Sequence, residues 1–322
     1  MQIAEAMSLG VQRVWPDAET VLIPVADGGD GTLQALVDSS GGEVRTANVE
    51  DAIGRPITAE WGALGDATTA VIEVASAVGL ARLSPDERDV RNASTFGIGQ
   101  LFTHALDAGF SNFIIGVGGS ATNDGGAGMI QAMGGNLTDK NGEELPRGGI
   151  ALSSLASIDI SSMDPRMLHA DIVVACDVNN PLCGPRGASA IFGPQKGATF
   201  QDVQELDAAL ANYSEVIAKD LNTDVAEIPG AGASGGLGAG LMGFFGARLR
   251  LGADIVLEAV SLEEHLIDAD LVIVGEGQFD RSTVFNKSPV AVAQRAKKPV
   301  SYTHLRAHET RHDLVCRLLL EK

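Results

Sequence analysis

Carboxylates recur inside short glycine-rich stretches of this 322-residue chain. Residues 26–32 read ADGGDGT, which sets Asp27 and Asp30 among Gly28, Gly29 and Gly31. Residues 116–128 read GVGGSATNDGGAG, where Gly118, Gly119 and Ser120 lead to Thr122, Asn123 and Asp124. Asp177 and Asn179 close the apolar run 172–176, and Arg186 and Lys196 follow within GPRGASAIFGPQKGAT. Residues 275–280, GEGQFD, hold Glu276 and Asp280, with Lys287 further on. These residue types suit phosphoryl transfer. Carboxylates hold Mg2+, loop N–H groups and Lys or Arg neutralise phosphate oxygens, and one carboxylate takes the acceptor hydroxyl's proton. Glycine permits close backbone approach to an anion, and a helix start adds the positive end of its dipole.

Patterns for several other chemistries are absent. The sequence contains no GxxxxGK[ST] phosphate loop and no Cys/His zinc spacing. Gly116, Gly118 and Ala121 do fit a dinucleotide fingerprint after a strand, which would make the chain an oxidoreductase. No acidic residue stands where the ribose ligand belongs, the nearest being Asp139. A non-catalytic small-ligand-binding protein is a third reading. For any single glycine, a tight strand-to-helix connection is explanation enough.

Bulk properties narrow the partners. Lys and Arg number 23 against 42 Asp and Glu, a formal net charge of −19. That disfavours nucleic acid and anionic membrane surfaces, although an acidic protein binds a small anion where cations gather locally. Hydrophobic residues make up 45% of the chain, enough for a sizeable core. Cys176, Cys183 and Cys316 form no disulfide framework, which suits a reducing cytoplasm. The first ten residues, MQIAEAMSLG, lack the basic and long apolar regions of a signal peptide, and no apolar run reaches spanning length.

The elements that must position these loops follow from periodicity. Ile3, Met7, Val11 and Val14 have helical spacing. Residues 20–25 predict a strand before the first acidic loop, and a helix runs after it through Val37. Residues 44–49, 57–64 and 68–73 alternate as half-buried strands, with a turn at Gly65 and Asp66. A helix over 94–107 leads into the apolar strand Phe113, Ile114, Ile115, and Met129, Ile130 and Met133 follow at helical spacing. Residues 137–162 predict turns with short strands. Residues 201–221 predict a long helix, and 230–240, GAGASGGLGAG, are a third glycine loop without a preceding strand. Residues 254–259 and 271–274 predict strands, with a helix from Pro289. Alternating strands and helices imply an α/β protein with a mostly parallel sheet, whose binding loops lie at the carboxyl ends of strands. Asp27, Asp124, Asp177 and Glu276 all fall there.

Four long motifs in order carry a resemblance: IPVADGGDGT (23–32), IIGVGGSATNDGGAGM (114–129), ACDVNNPLCGPRGASAIFGPQKGA (175–198) and VGEGQFDRST (274–283). Together, over about 1–300, they resemble the bacterial glycerate kinase family. The resemblance implies Mg2+- and ATP-dependent phosphorylation of D-glycerate in the cytoplasm, usually on the 2-hydroxyl. It also implies a flavodoxin-like parallel-sheet domain into which a second α/β domain is inserted. We expect the first domain over 1–85 plus 265–300, the inserted one over 86–264, and a charged boundary near Pro85. A homo-oligomer is left open.

Candidate roles follow. Asp124 leads as the catalytic carboxylate, with a turn role as its alternative. Asp177 is a second catalytic candidate, beside Asn179 in substrate binding. Lys196 and Arg186 are the cations for phosphate or for the glycerate carboxylate. Asp27 and Asp30 either serve metal and substrate or cap the next helix. Gly28, Gly29, Gly118, Gly119, Ser120 and Asn123 line the substrate or phosphates. Glu276 and Asp280 are further metal ligands, Lys287 is a phosphate or helix-start cation, and Cys183 packs.

The family opens with a strand and loop resembling APDSFK and continues past the last helix here, so this chain is expected to be truncated and inactive. Residues 301–322, SYTHLRAHETRHDLVCRLLLEK, resemble a translated adaptor found at the ends of unrelated gene fragments. A helix is expected over 313–320. His304 and His308, four apart, offer a metal site as the alternative reading.

Overall fold

Alternation of apolar and polar residues builds an antiparallel edge first. Strand β1 (Glu43–Glu50) pairs along its whole length with β2 (Pro56–Ala63), and β2 pairs with β3 (Thr69–Glu73). Ala47, Val49, Ala59, Trp61 and Ala63 turn inward, while Asn48 and Glu60 between them face water. Asp66 fixes the turn between β2 and β3 by accepting the N–H groups of Thr68 and Thr69. Helix α1 (Gln2–Val14) and α2 (Thr32–Ser40) precede this edge, and α3 (Val74–Val78) follows β3 without a linker. The computed structural model describes residues 2–26, 31–275, 288–297, 305–306 and 317–318.

The sheet then turns parallel. After α4 (Phe96–Asp107), β4 (Asn112–Gly116) pairs in parallel with β3. Helix α5 (Ala127–Ala132) and the small antiparallel pair β5 (Asn136–Thr138) and β6 (Ser157–Asp159) lead to β7 (Asp171–Ala175), which lies parallel to β4. Helices α6 (Ala188–Phe192), α7 (Phe200–Leu221) and α8 (Ala233–Phe245) lead to β8 (Arg248–Arg250), parallel to β7. The order is β1-β2-β3-β4-β7-β8. Val71, Ile72, Ile115 and Val174 are fully enclosed, as strands covered on both faces require. Their neighbours Phe102, Phe113, Met129, Leu210 and Tyr213 complete one core.

The chain separates into two compact units, 28–252 and 1–27 with 253–322. Sequence reading placed the divisions at 85 and 264. Strand β3, before the expected boundary, hydrogen-bonds to β4 after it, so β1 to β4 belong to one sheet. In the other unit, α9 (Gly252–Ala259) and α10 (Leu262–Leu266) precede α11 (Ser288–Ala296). Arg295 of α11 reaches Asp254 at 3.0 Å and Glu263 at 2.6 Å.

Three strand expectations fail in that unit. Residues 254–259 are helical, because Ala253, Val256, Leu257 and Val260 form a buried stripe at helical spacing that a short β-branched run conceals. Residues 20–25 and 271–274 lie outside regular structure and have no strand ladder among the described residues. At the carboxyl end, β9 (Leu305–Arg306) pairs antiparallel with β10 (Arg317–Leu318), so the helix expected over 313–320 does not include Arg317 and Leu318. His304 and His308 lie outside the described residues.

Candidate active site

Parallel pairing puts the ends of four elements on one sheet edge. Glu73 stands in register with Gly116, Gly116 with Ala175, and Ala175 with Arg250. The loops that begin at Val117 and Cys176 therefore emerge side by side, as the strand-end rule requires. Gly118 and Gly119 are exposed at the start of the first loop. The loop is stitched to the end of α3, since Leu80 N–H donates to Gly119 O at 2.8 Å and Ala121 N–H to Val78 O at 2.9 Å.

Beyond Gly119 the loop dives into the protein. Thr122, Asn123 and Asp124 have no exposed surface. Asp124 Oδ2 accepts Thr95 N–H at 2.8 Å, the Thr95 hydroxyl at 2.9 Å and Gly128 N–H at 3.2 Å. Its Oδ1 accepts Gly126 N–H at 3.2 Å. Thr95 is the residue before α4, and Gly126 the residue before α5. One carboxylate thus satisfies the first N–H groups of two helices, where their positive dipole ends favour it. Burial pushes the Asp124 pKa up, and these hydrogen bonds oppose the rise. The geometry makes Asp124 a structural clamp: both oxygens are engaged and neither reaches solvent.

Lys196 sits beneath the same loop, at the end of the short turn 194–196, with 2% of its surface exposed. Its Nζ donates to Thr122 O at 2.6 Å and to Ser120 Oγ at 3.0 Å. Burial lowers its pKa to about 7, against the opposing pull of Asp124. Asn123 Nδ2 donates to Ser189 Oγ of α6 at 2.9 Å. Ser120, Asn123 and Lys196 are therefore brought together as expected, whereas Asp124 is turned toward the helix ends.

The second loop carries Asp177 and Asn179, both exposed. Asp177 Oδ1 accepts Gly252 N–H at 3.0 Å, tying this loop to the chain just past β8. Asn180 accepts the N–H groups of Gly230 and Gly232 on its carbonyl and donates its Nδ2 to Arg186 O at 2.7 Å. Arg186 itself is exposed. Cys183 packs as expected, its Sγ 3.6 Å from Asp207 O and its pKa pushed up to about 12 by burial.

The third glycine loop has a packing function that sequence reading missed. Gly125 N–H donates to Gly235 O at 3.0 Å. A methyl group on Gly235 would lie 2.0 Å from Thr122 O, and one on Gly240 would lie 2.3 Å from Gly125 O. These glycines let two backbones touch. Glu73 was also missed: it is the last residue of β3, and its Oε1 accepts Leu33 N–H of α2 at 2.9 Å. A strand-end carboxylate outside the glycine loops has no motif to mark it. Asp124 occupies the Gly126 and Gly128 N–H groups at the start of α5, and the comparisons below give the dinucleotide reading no support.

Comparison with known proteins decides the family. The sequence profile of the glycerate kinase family matches residues 1–308. The chain belongs to the glycerate kinase family. It is 50% identical to glycerate 2-kinase of Escherichia coli K12, over 92% of this chain and 78% of that protein. It is also 50% identical to glycerate kinase of Bacillus subtilis 168, with the same coverage. A crystal structure assigned as glycerate kinase 2 from Salmonella typhimurium LT2 superposes with a TM-score of 0.86 at 50% identity, over 92% of this chain and 80% of that one. The mixed α/β fold with a mainly parallel central sheet is thus that of a glycerate kinase family member. Asp27, Gly28, Gly29, Asp30, Glu276, Asp280 and Lys287, the remaining candidates, lie outside the described residues.

Proposed function

We propose, against the expectation of inactivity, that this chain transfers the terminal phosphoryl group of ATP to the 2-hydroxyl of D-glycerate. The observation that carries the reading is 50% identity with glycerate 2-kinase across 92% of the chain. Phosphoryl transfer needs placed charge more than covalent chemistry by the protein. Lys196 supplies a buried positive charge under the 117–124 loop, and Ser120 and Asn123 supply polar contacts beside it. Exposed Gly118 and Gly119 offer backbone to phosphate oxygens, and exposed Arg186 and Asn179 are the candidates from the segment that follows β7. Asp177 is the carboxylate at the end of β7 and is proposed to accept the hydroxyl proton or hold the metal. Asp124 supports these groups by fixing the loop.

Mg2+ belongs to this reading and fits the donor set. The described residues contain no group of three His, Cys, Asp or Glu that could hold a metal. Mg2+ commonly takes only one or two carboxylates, its other positions going to water and phosphate oxygens. Asp177 is a carboxylate of that kind, with Asp27, Glu276 and Asp280 as the further candidates. When bound, the ion neutralises charge on the phosphates. A reducing cytoplasm is the proposed compartment, in keeping with free thiols at Cys176 and Cys183.

The test is D-glycerate-dependent ADP release by the purified chain with ATP and Mg2+, and phosphorus NMR of the product. The reading expects 2-phosphoglycerate. A folded chain that neither binds D-glycerate nor releases ADP in its presence would overturn it.

A further inference from the structure

Buried polar atoms in proteins nearly always have partners, so clustered exceptions point to something that binds there. Among the described residues, Thr122 Oγ1, Asn123 Oδ1 and Ser234 Oγ are enclosed and have no hydrogen-bond partner. Thr122 and Asn123 have no exposed surface at all. The three lie either side of one backbone contact. Gly235 packs so closely on this loop that an added methyl would be 2.0 Å from Thr122 O and 2.7 Å from Asn123 Cα. Lys196 Nζ bonds the same Thr122 carbonyl, and Ser189 holds the other end of the Asn123 amide.

Ser234 is unusual for a second reason. It begins three consecutive residues in the left-handed region, with φ of 55° at Ser234, 69° at Gly235 and 89° at Gly236. Glycine takes this conformation freely, whereas serine is strained by it. A serine kept where glycine would fit better, with its hydroxyl unpaired, is a side chain retained at a cost to folding. Ser234 is also the partly exposed member of the three.

We infer that Ser234, Thr122 and Asn123 form the subsite for the hydroxy-acid end of the substrate, a specificity site for small 2-hydroxycarboxylates. The inference rests on the glycerate reading above. Its chemistry is complementary: the Thr122 and Ser234 hydroxyls donate to a carboxylate, Asn123 Oδ1 accepts from a substrate hydroxyl, and Lys196 supplies the positive charge nearby. Ligand replaces partners that the free protein lacks. A site built to hydrogen-bond a substrate group rejects analogues without it, because its buried atoms are then left unpaired.

Two variants test this in the full chain, read by thermal shift and calorimetry with D-glycerate, and with ATP as the control ligand. Ser234→Gly removes the hydroxyl and the strain, and Thr122→Val removes an unpaired hydroxyl with little change of shape. We expect each to leave the melting temperature of the free protein unchanged or higher, to weaken D-glycerate at least tenfold, and to leave ATP binding within twofold. In turnover, KM for D-glycerate rises more than kcat falls. Wild-type affinity for D-glycerate in both variants would overturn the subsite and leave the kinase reading intact. A wild-type chain that binds ATP but not D-glycerate would overturn both. A lowered melting temperature with unchanged D-glycerate affinity would show that the hydroxyls only pack.

Discussion

Asp124 and Thr95 hold each other at two points: the Asp124 carboxylate accepts both the backbone N–H and the hydroxyl of Thr95, at 2.8 and 2.9 Å. Thr95 Oγ1 in turn accepts Met129 N–H from α5 at 2.9 Å. The pair closes the starts of α4 and α5 on one another. Asp124→Asn presents an amide NH2 to donors and loses the charge at both helix ends. Breaking a buried charged hydrogen-bond set costs about 3–5 kcal/mol. Urea unfolding is expected to show a loss of that order, accompanied by lost activity. Full stability with lost turnover would instead make Asp124 a catalytic group.

Lys196 should make stability depend on pH in the alkaline range. Its folded pKa is about 7, against 10.5 for an ordinary lysine. Between those values the unfolded chain holds more protons than the folded one, so stability rises with pH from about 7 to about 10.5 and is level outside that window. The difference between wild type and Lys196→Met, measured by urea unfolding at several pH values, isolates this rise. A difference that does not change with pH would show that Lys196 titrates normally. Activity of Lys196→Met is expected to fall at least a hundredfold, as loss of a placed cation at phosphoryl transfer implies.

The same direction, stability rising with pH, applies to Asp202 in the acid range. Thr199 donates its hydroxyl and N–H to this carboxylate, and Arg91 lies 2.6 Å away, which holds the Asp202 pKa to about 2. A depressed carboxylate stabilises above its unfolded pKa, and the contribution disappears as pH falls from about 4 through about 2. Asp202→Asn should therefore lower the melting temperature at pH 7 and converge on wild type near pH 2. The capping box at the start of α7 is the structure being measured.

Gly235→Ala tests the contact between the two glycine loops. The added methyl meets Thr122 O at 2.0 Å in a backbone with φ of 69°. Strain and backbone displacement together predict a loss of about 2–4 kcal/mol, beyond the usual cost of a left-handed alanine. Gly142, also at positive φ but with open space around it, is the matched control: Gly142→Ala should cost only about 1 kcal/mol.

How much was legible in the sequence differs between the units. Strands β1, β2, β3, β4 and β7 were all readable to within a residue or two, because their apolar pattern and turn residues agree with burial. The stretch 254–259 was not, since six apolar-rich residues fit either period and only the flanking Ala253 and Val260 reveal the helix. For the site, Lys196, Ser120 and Asn123 converge as their glycine-rich context suggested. Asp124 faces two helix starts, a placement that composition cannot tell from one facing substrate. Ser234 was hidden for a related reason: its unpaired hydroxyl and left-handed backbone are properties of position that residue type does not reveal.

The meeting of Gly125 with Gly235 and Gly240 has an evolutionary reading. Two loops 110 residues apart in sequence share a surface with no side chains to adjust, so neither can drift alone. Among relatives as different as the 35%-identical Neisseria meningitidis glycerate kinase, a hybrid that exchanges 113–135 without 228–246 should misfit, while one that exchanges both should assemble.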